Sequence, residues 1–402
     1  MPARVEGFVP GRLKMAREAR LLRQTELAER IDWSESAISK WENPNSTQSP
    51  EPAAIPVLAK VLNVEPTWFF KPVERAGRAA FFRSLKRSLG QLRDKAEARL
   101  GFVEAIEETL SDYVHMLDVD IPDLMDGRDF RTLRLPDIQR IADDLRDYWD
   151  LGDGPIDDLL LLIENAGIIV AEDNVGSADL DGVSRWSEES QRPYMLLARD
   201  KNVGVRRRFD AAHELGHIVL HRQVSSIDLI ENFALIEEQA MAFAGAFLLP
   251  EQSFSDDLFS NSLEAMIRIK EKWKVSVAAM IMRLRAIERV TPEYERRLWQ
   301  YYSYRRWRGG EPFDDVLPVE SPVNLKASIE MIVGEGGIRR SELLRDIGLS
   351  AADVETLAGL DEGFFGPSDA NVIRLEPRLK TRTEDIAGPG GRVLPLRPGA
   401  KN

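Results

Sequence analysis

The 402-residue chain contains no cysteine, which excludes disulfide staples and thiolate metal ligands. Histidine is almost as scarce, with four in all, so any imidazole site has to be built from very few positions. No run of 18 apolar residues exists, and the first residues lack the hydrophobic block of a signal peptide. These absences predict a cytoplasmic chain without membrane association. Internal repeats, a phosphate-cradling glycine loop and a Ser/His/Asp arrangement with specific spacing are also missing from the sequence. What remains is an ordinary globular composition, 43% hydrophobic and 30% charged, long enough for roughly two to four domains.

The net charge of -13 is unevenly spread. The first 99 residues sum to +6 and the remaining 303 to -19. The acidic balance of the whole therefore does not exclude nucleic acid as a partner of the N-terminal part.

Three of the four histidines fall within residues 213–221, in the run Arg206-Arg207-Arg208-Phe209-Asp210-Ala211-Ala212-His213-Glu214-Leu215-Gly216-His217-Ile218-Val219-Leu220-His221. No proline interrupts residues 194–249, so one helix is expected here. In a helix, His213 and His217 stand one turn apart on one face, where both imidazoles reach a single metal ion. Glu214, about 100° further round, misses the metal but can take a proton from a metal-bound water. A catalytic zinc needs a third protein ligand and an open position. Position 223, six residues past His217, is Gln, and no histidine follows His221, so the third ligand is expected to be a carboxylate. Residues 235–249, stopped by Pro250, read as a second apolar helix. Glu237 is a lone carboxylate on its apolar face, costly to bury without a cation, and is the expected third ligand, with Glu238 in reserve. His221 is expected to support the centre from behind or to pack in the core.

The run R-R-F-D-A-A-H-E-L-G-H-I-V-L-H followed by E-E-Q-A-M-A-F-A-G-A-F-L-L-P resembles the ImmA/IrrE family of minimal zinc metallopeptidases. The resemblance implies that His213, His217 and Glu237 hold Zn2+ and that Glu214 is the general base. Ala240, Ala244, Gly245 and the Leu-Leu-Pro end fit the same pattern, whereas Met241 stands where the family more often has a polar residue.

Residues 10–70 carry a second pattern. Helices are expected over 12–22, 24–31, 34–43 and 53–62, with Leu27, Ala28 and Ile31 inward and Asp32-Trp33 as a short turn. Ser34 caps the next helix, which Ile38 and Trp41 lock onto the first. This resembles the XRE-family helix-turn-helix, which implies double-stranded DNA as partner and Gln24 at a phosphate. The third helix would enter the major groove, presenting Glu35, Ser36, Ser39 and Lys40. These are poor in the Arg, Gln and Asn that read bases bidentately, so no operator follows from them.

Between the two patterns, residues 75–100 carry Phe82, Leu85, Leu89, Leu92, Ala96 and Leu100 at helical spacing. This reads as an amphipathic helix packed on its neighbours with Arg83, Lys86, Arg87 and Arg93 on a solvated basic face; the alternative is that these four extend a phosphate-contacting surface. A further helix is expected over 100–117. Helices over 135–149 and 156–166 then precede apolar runs at 167–171, 182–186 and 193–198, which predict a small sheet. Residues 194–198 are the candidate edge for an added substrate strand.

The expected fold is mainly α with a small antiparallel sheet (α+β): an N-terminal helix-turn-helix bundle plus a minimal zincin-like domain. Expected boundaries are 1–73 for DNA binding, 74–119 for a helical linker, 120–300 for the peptidase-like domain, 301–366 for a C-terminal helical region and 367–402 for a loosely ordered tail. The expected function is a DNA-binding zinc endopeptidase that cleaves a protein partner, a transcriptional repressor, and works as a homodimer. The alternative is a non-proteolytic repressor or antitoxin whose peptidase-like domain binds a toxin, another partner or a ligand.

Overall fold

Four short strands, β1 (Phe81–Phe82), β2 (Ile169–Asp173), β3 (Gly182–Trp186) and β4 (Pro193–Ala198), form one sheet of order β1-β3-β4-β2. The sheet divides the apolar side chains into two cores. Along β2, Val170 enters one core while Ile169 and Ala171 enter the other; along β4, Met195 and Leu197 alternate with Tyr194 and Leu196 in the same way. A sheet covered on both faces explains why its strands read as continuous apolar runs. The structure, a computed structural model, describes residues 5–73, 79–82, 90–174, 176, 181–199 and 203–366.

Four helices open the chain: α1 (Pro10–Ala19), α2 (Gln24–Ile31), α3 (Glu35–Glu42) and α4 (Ala54–Leu62). Asp32 ends α2 in the left-handed region, and the Ser34 hydroxyl accepts the Ala37 N–H at 3.2 Å to start α3. Leu27, Ala28, Ile31, Ile38 and Trp41 are buried at the turn, as their spacing predicts. Helix α5 (Gly90–Ser111) lies against α1 at Gly101, where a Cβ would come within 2.6 Å of Met15 Cε. Glycine there leaves room for the end of the Met15 side chain.

Helices α6 (Leu135–Tyr148) and α7 (Leu159–Asn165) precede the central strands, and α8 (Gly204–Leu220), α9 (Ser226–Glu231), α10 (Phe233–Leu248), α11 (Glu251–Asp257), α12 (Leu263–Trp273), α13 (Val277–Ala286) and α14 (Pro292–Tyr304) follow them. Together with one sheet face, α6, α8, α10 and α13 enclose the first core. The last helices, α15 (Asn324–Gly334), α16 (Arg340–Ile347) and α17 (Ala351–Leu357), return to the other sheet face and share the second core with α1–α5. Buried charge ties these parts together: Arg99 of α5 binds Asp173 of β2 at 2.5 Å and also Asp353 of α17, which pairs in turn with Arg20. The described residues up to Gly366 form one compact unit, so the helix-turn-helix is packed onto the rest rather than tethered at a distance.

The α+β expectation agrees with these elements, with three differences. The sheet is mixed, because β2 runs parallel to β4 while β3 runs antiparallel to it. Consequently β4 is central, flanked by β2 and β3, and 194–198 is not an edge. Thirdly, of the stretch expected as helices over 75–100 and 100–117, residues 81–82 form a strand and residues 90–111 a single α5, while 75–78 and 83–89 lie outside the described residues. Ala79 and Phe81 enter the first core and Ala80 the second, a two-residue alternation that the helical spacing of Phe82, Leu85 and Leu89 masked. Arg83, Lys86, Arg87 and the expected tail over 367–402 lie outside the described residues. Among the described residues no single helix is long and apolar enough to cross a membrane.

Candidate functional site

Helix α8 runs unbroken through the histidine cluster and sets His213 Nε2 3.1 Å from His217 Nε2. Helix α10 packs alongside because both partners are small at the crossing. A Cβ on Gly216 would lie 3.1 Å from the Ala240 carbonyl oxygen and 3.2 Å from its Cα. This approach carries Glu237 to the imidazoles, with Oε2 3.5 Å from His213 Nε2 and Oε1 3.2 Å from His217 Nε2. Ligands about 2.0–2.1 Å from a tetrahedral centre stand roughly 3.3–3.4 Å apart, so this trio fits one divalent ion. Glu238, the reserve, is exposed and belongs to no such group.

A proton count along the chain behind the trio supports the same fit. Gln239 donates its Nε2 to the Phe130 carbonyl at 2.7 Å, which turns its Oε1 toward His221 Nε2, 2.9 Å away. An amide oxygen only accepts, so His221 carries its proton on Nε2 and presents a bare Nδ1. The His217 Nδ1, 3.1 Å from it, must then be the donor. That leaves the His217 Nε2 lone pair facing Glu237 Oε1, a buried oxygen with no hydrogen-bond partner. Two acceptors 3.2 Å apart call for a cation between them. Burial lowers His217 to about 4 and His221 to about 3, so both rings are neutral near pH 7, the form that ligates metal.

Glu214 leaves the trio and turns toward β3. Its Oε2 accepts the Ser184 hydroxyl at 2.5 Å, and a Cβ on Gly182 would sit 3.0 Å from its Oε1. Burial raises Glu214 well above the ordinary carboxylate range, as do the negative charges of Glu237, Asp210 and Asp181, against the Ser184 bond. A divalent cation a few Å away acts in the opposite direction.

Sequence reasoning named His213, Glu214, His217 and Glu237; the structure groups His213, His217 and Glu237 and sets the Glu214 carboxylate against Ser184 of β3. It missed Gly182, Ser184, Gln239 and Phe81. Gln239 had a readable signal, since it is a polar residue two positions after Glu237 in an otherwise apolar helix. Nothing local marks Gly182, Ser184 or Phe81, because their role depends on which helix the sheet meets.

On the helix-turn-helix, Glu35, Ser36, Ser39 and Lys40 are exposed on α3, and exposed Ser34 spends its hydroxyl on the helix cap. Gln24, half-buried at the first turn of α2, donates Nε2 to Glu42 Oε2 at 2.7 Å. Glu42 is in turn clamped by Arg17 at 2.6 Å and 2.8 Å, which fixes α1, α2 and α3 together from inside.

Residues 13–69 match the family model described as helix-turn-helix, and residues 163–285 match the model for the IrrE N-terminal-like domain of the M78 peptidases. No curated protein matches the chain. With the two matched regions falling on α1–α4 and on the elements that build the His/His/Glu trio, the chain joins an XRE-type helix-turn-helix DNA-binding domain to a peptidase-like domain of the IrrE N-terminal-like family.

Proposed function

We propose that the chain is a DNA-binding zinc endopeptidase that cleaves a protein partner, a transcriptional repressor. The observation that carries this reading is the placement of Glu214: a purely structural metal site needs no base, yet a carboxylate is held beside the ligands by Ser184 and backed by Gly182. His213, His217 and Glu237 would hold the zinc ion, which supplies Lewis-acid activation of water and of the scissile carbonyl. Glu214 accepts the proton of the attacking water and returns it to the leaving nitrogen. Ser184 keeps the carboxylate aimed, and the His221–Gln239 pair keeps the His217 lone pair on the metal side.

The helix-turn-helix would place α3 in the major groove, with Gln24, Ser34, Glu35, Ser36, Ser39 and Lys40 at the DNA surface and a homodimer reading a two-fold site. Residues 1–73 and 120–300 are the proposed extents of the two activities, joined through 74–119.

One observation favours a second reading, a non-proteolytic repressor or antitoxin. His213 is 3% exposed, Glu214 2% and His217 0%, whereas a working hydrolytic centre keeps a position open. The discriminating experiment incubates the zinc-loaded chain and its Glu214→Gln variant with a helix-turn-helix repressor encoded beside it. Cleavage by the wild type and none by a variant that retains its zinc supports the peptidase. Intact repressor in both, with DNA binding unchanged, supports the second reading.

A further inference from the structure

β1 packs against one imidazole of the buried centre, His217. Phe81 and Phe82 pair antiparallel with Ser184 and Val183 of β3, on the side of β3 turned away from β4. β3 is the strand that serves the centre, since Ser184 and Gly182 both contact Glu214. An extended peptide adding to the sheet beside Glu214 would run along this same edge.

The segment is seated as a bound peptide would be. Ala79 and Phe81 point into the core that contains α8, and Ala80 into the other. Phe81 is 3% exposed. Its ring stacks on the His217 imidazole with centroids 4.7 Å apart and planes 11° apart, and lies 5.8 Å from His221. The anchor thus covers the face of a metal-site histidine. The strand has two residues and comes from outside the matched 163–285 region, between the helix-turn-helix and α5. So short an edge strand makes few backbone hydrogen bonds, and the buried side chains of Ala79, Ala80 and Phe81 supply most of what holds it in place.

We propose that the outer edge of β3 is a peptide-binding groove whose pocket against His217 and His221 takes a bulky aromatic side chain, and that residues 79–82 are its resident occupant. The substrate class is then an extended segment with small residues before an aromatic one, and it binds only when the chain's own segment leaves. The word substrate rests on the peptidase reading above; the occupancy of the groove does not.

The test uses a fluorescein-labelled peptide with the sequence of residues 78–83 and the full-length zinc-loaded chain carrying Glu214→Gln, so that binding is read without cleavage. Adding Phe81→Ala is expected to tighten peptide binding about ten-fold or more, because apparent affinity scales with the fraction of grooves left free. Equal affinity in the two backgrounds, or no binding in either, overturns the proposal. Should Phe81→Ala fail to fold, Phe82→Cys with Val183→Cys serves instead. These two are Cα partners, within reach of a disulfide, and the chain has no other cysteine. The oxidised form is expected to bind no peptide and the phosphine-reduced form to regain binding; binding insensitive to oxidation overturns the proposal. With Glu214 restored, the two readings separate. Tighter binding without cleavage upholds the groove and sinks the peptidase, whereas equal cleavage by wild type and Phe81→Ala upholds the peptidase and sinks the resident strand.

Discussion

The Nδ1 atoms of His217 and His221 lie 3.1 Å apart at the end of α8, and only one of them can carry the proton between them. Gln239 decides which, through the 2.9 Å contact that commits His221 Nε2 as donor. His221→Phe keeps the ring packed between Phe81 and Phe130 but removes the acceptor for His217. Losing such a partner behind a ligand is expected to weaken zinc binding about 10–100-fold, and Gln239→Leu should do the same. Competition against a chromophoric chelator checks this; unchanged affinity in both variants contradicts the proton count.

Two glycines are expected to fail in different ways. Gly182→Ala puts a methyl 3.0 Å from Glu214 Oε1 and displaces the proposed base, while the ligands on α8 and α10 stay in place. A misplacement of this kind costs about 10²-fold in turnover with zinc content unchanged. Gly216→Ala instead presses on the backbone of Ala240, the crossing that delivers Glu237, and is expected to lower zinc content first. Metal analysis beside turnover of a cleavable peptide separates the two; loss of zinc in Gly182→Ala contradicts the assignment.

How much of this the sequence announces follows from range. The residues of the centre sit on α8 and α10, separated only by the short α9, and helical periodicity with a proline stop makes both helices readable. The helix-turn-helix is similarly local, with Asp32, Ser34, Ile38 and Trp41 each recognisable from near neighbours. Ser184 acquires its role only by pairing with Glu214, 30 residues away, and Phe81 only by reaching His217 across a chain reversal. The central position of β4 depends on a crossover that strand periodicity cannot encode, which is why 194–198 reads as an edge and is not one. Phe82 stands at helical spacing with Leu85 and Leu89, which lie outside the described residues, yet pairing with the β3 edge decides the local conformation at 81–82.

Glu164 links pH to stability. It is 1% exposed and accepts the backbone N–H groups of Val323 and Asn324, both at 2.9 Å, at the start of α15. Burial pushes its carboxyl up to about 7 from the ordinary 4.5, against those two bonds. The folded chain therefore keeps a proton that the unfolded chain gives up. The resulting stabilisation is complete below about pH 4.5 and disappears as pH rises through about 7. Glu164→Gln cannot titrate, so wild type is expected to lose stability relative to the variant by up to ~1.4 kcal/mol per pH unit between about pH 5 and 7. Urea unfolding across that window measures it, and a pH-independent difference contradicts the assignment.

Arg99 is the charge shared by α5, β2 and α17, through Asp173 and Asp353. Arg99→Met keeps much of the volume but leaves Asp173 buried without its partner, while Asp353 retains Arg20. Removing one member of a buried network of this kind costs about 3–5 kcal/mol. Chemical denaturation is expected to show that loss in a single transition, because the helix-turn-helix and the sheet share one core. Early melting of the helix-turn-helix alone would contradict that shared core.

The central claim is that His213, His217 and Glu237 bind one divalent ion, and zinc stoichiometry measures it most directly. The wild type is expected to hold one equivalent per chain after exhaustive dialysis against a weak chelator, Glu214→Gln the same, and His213→Ala, His217→Ala and Glu237→Ala almost none. A wild-type chain that binds no zinc, or a Glu237→Ala chain that retains a full equivalent, would contradict the account.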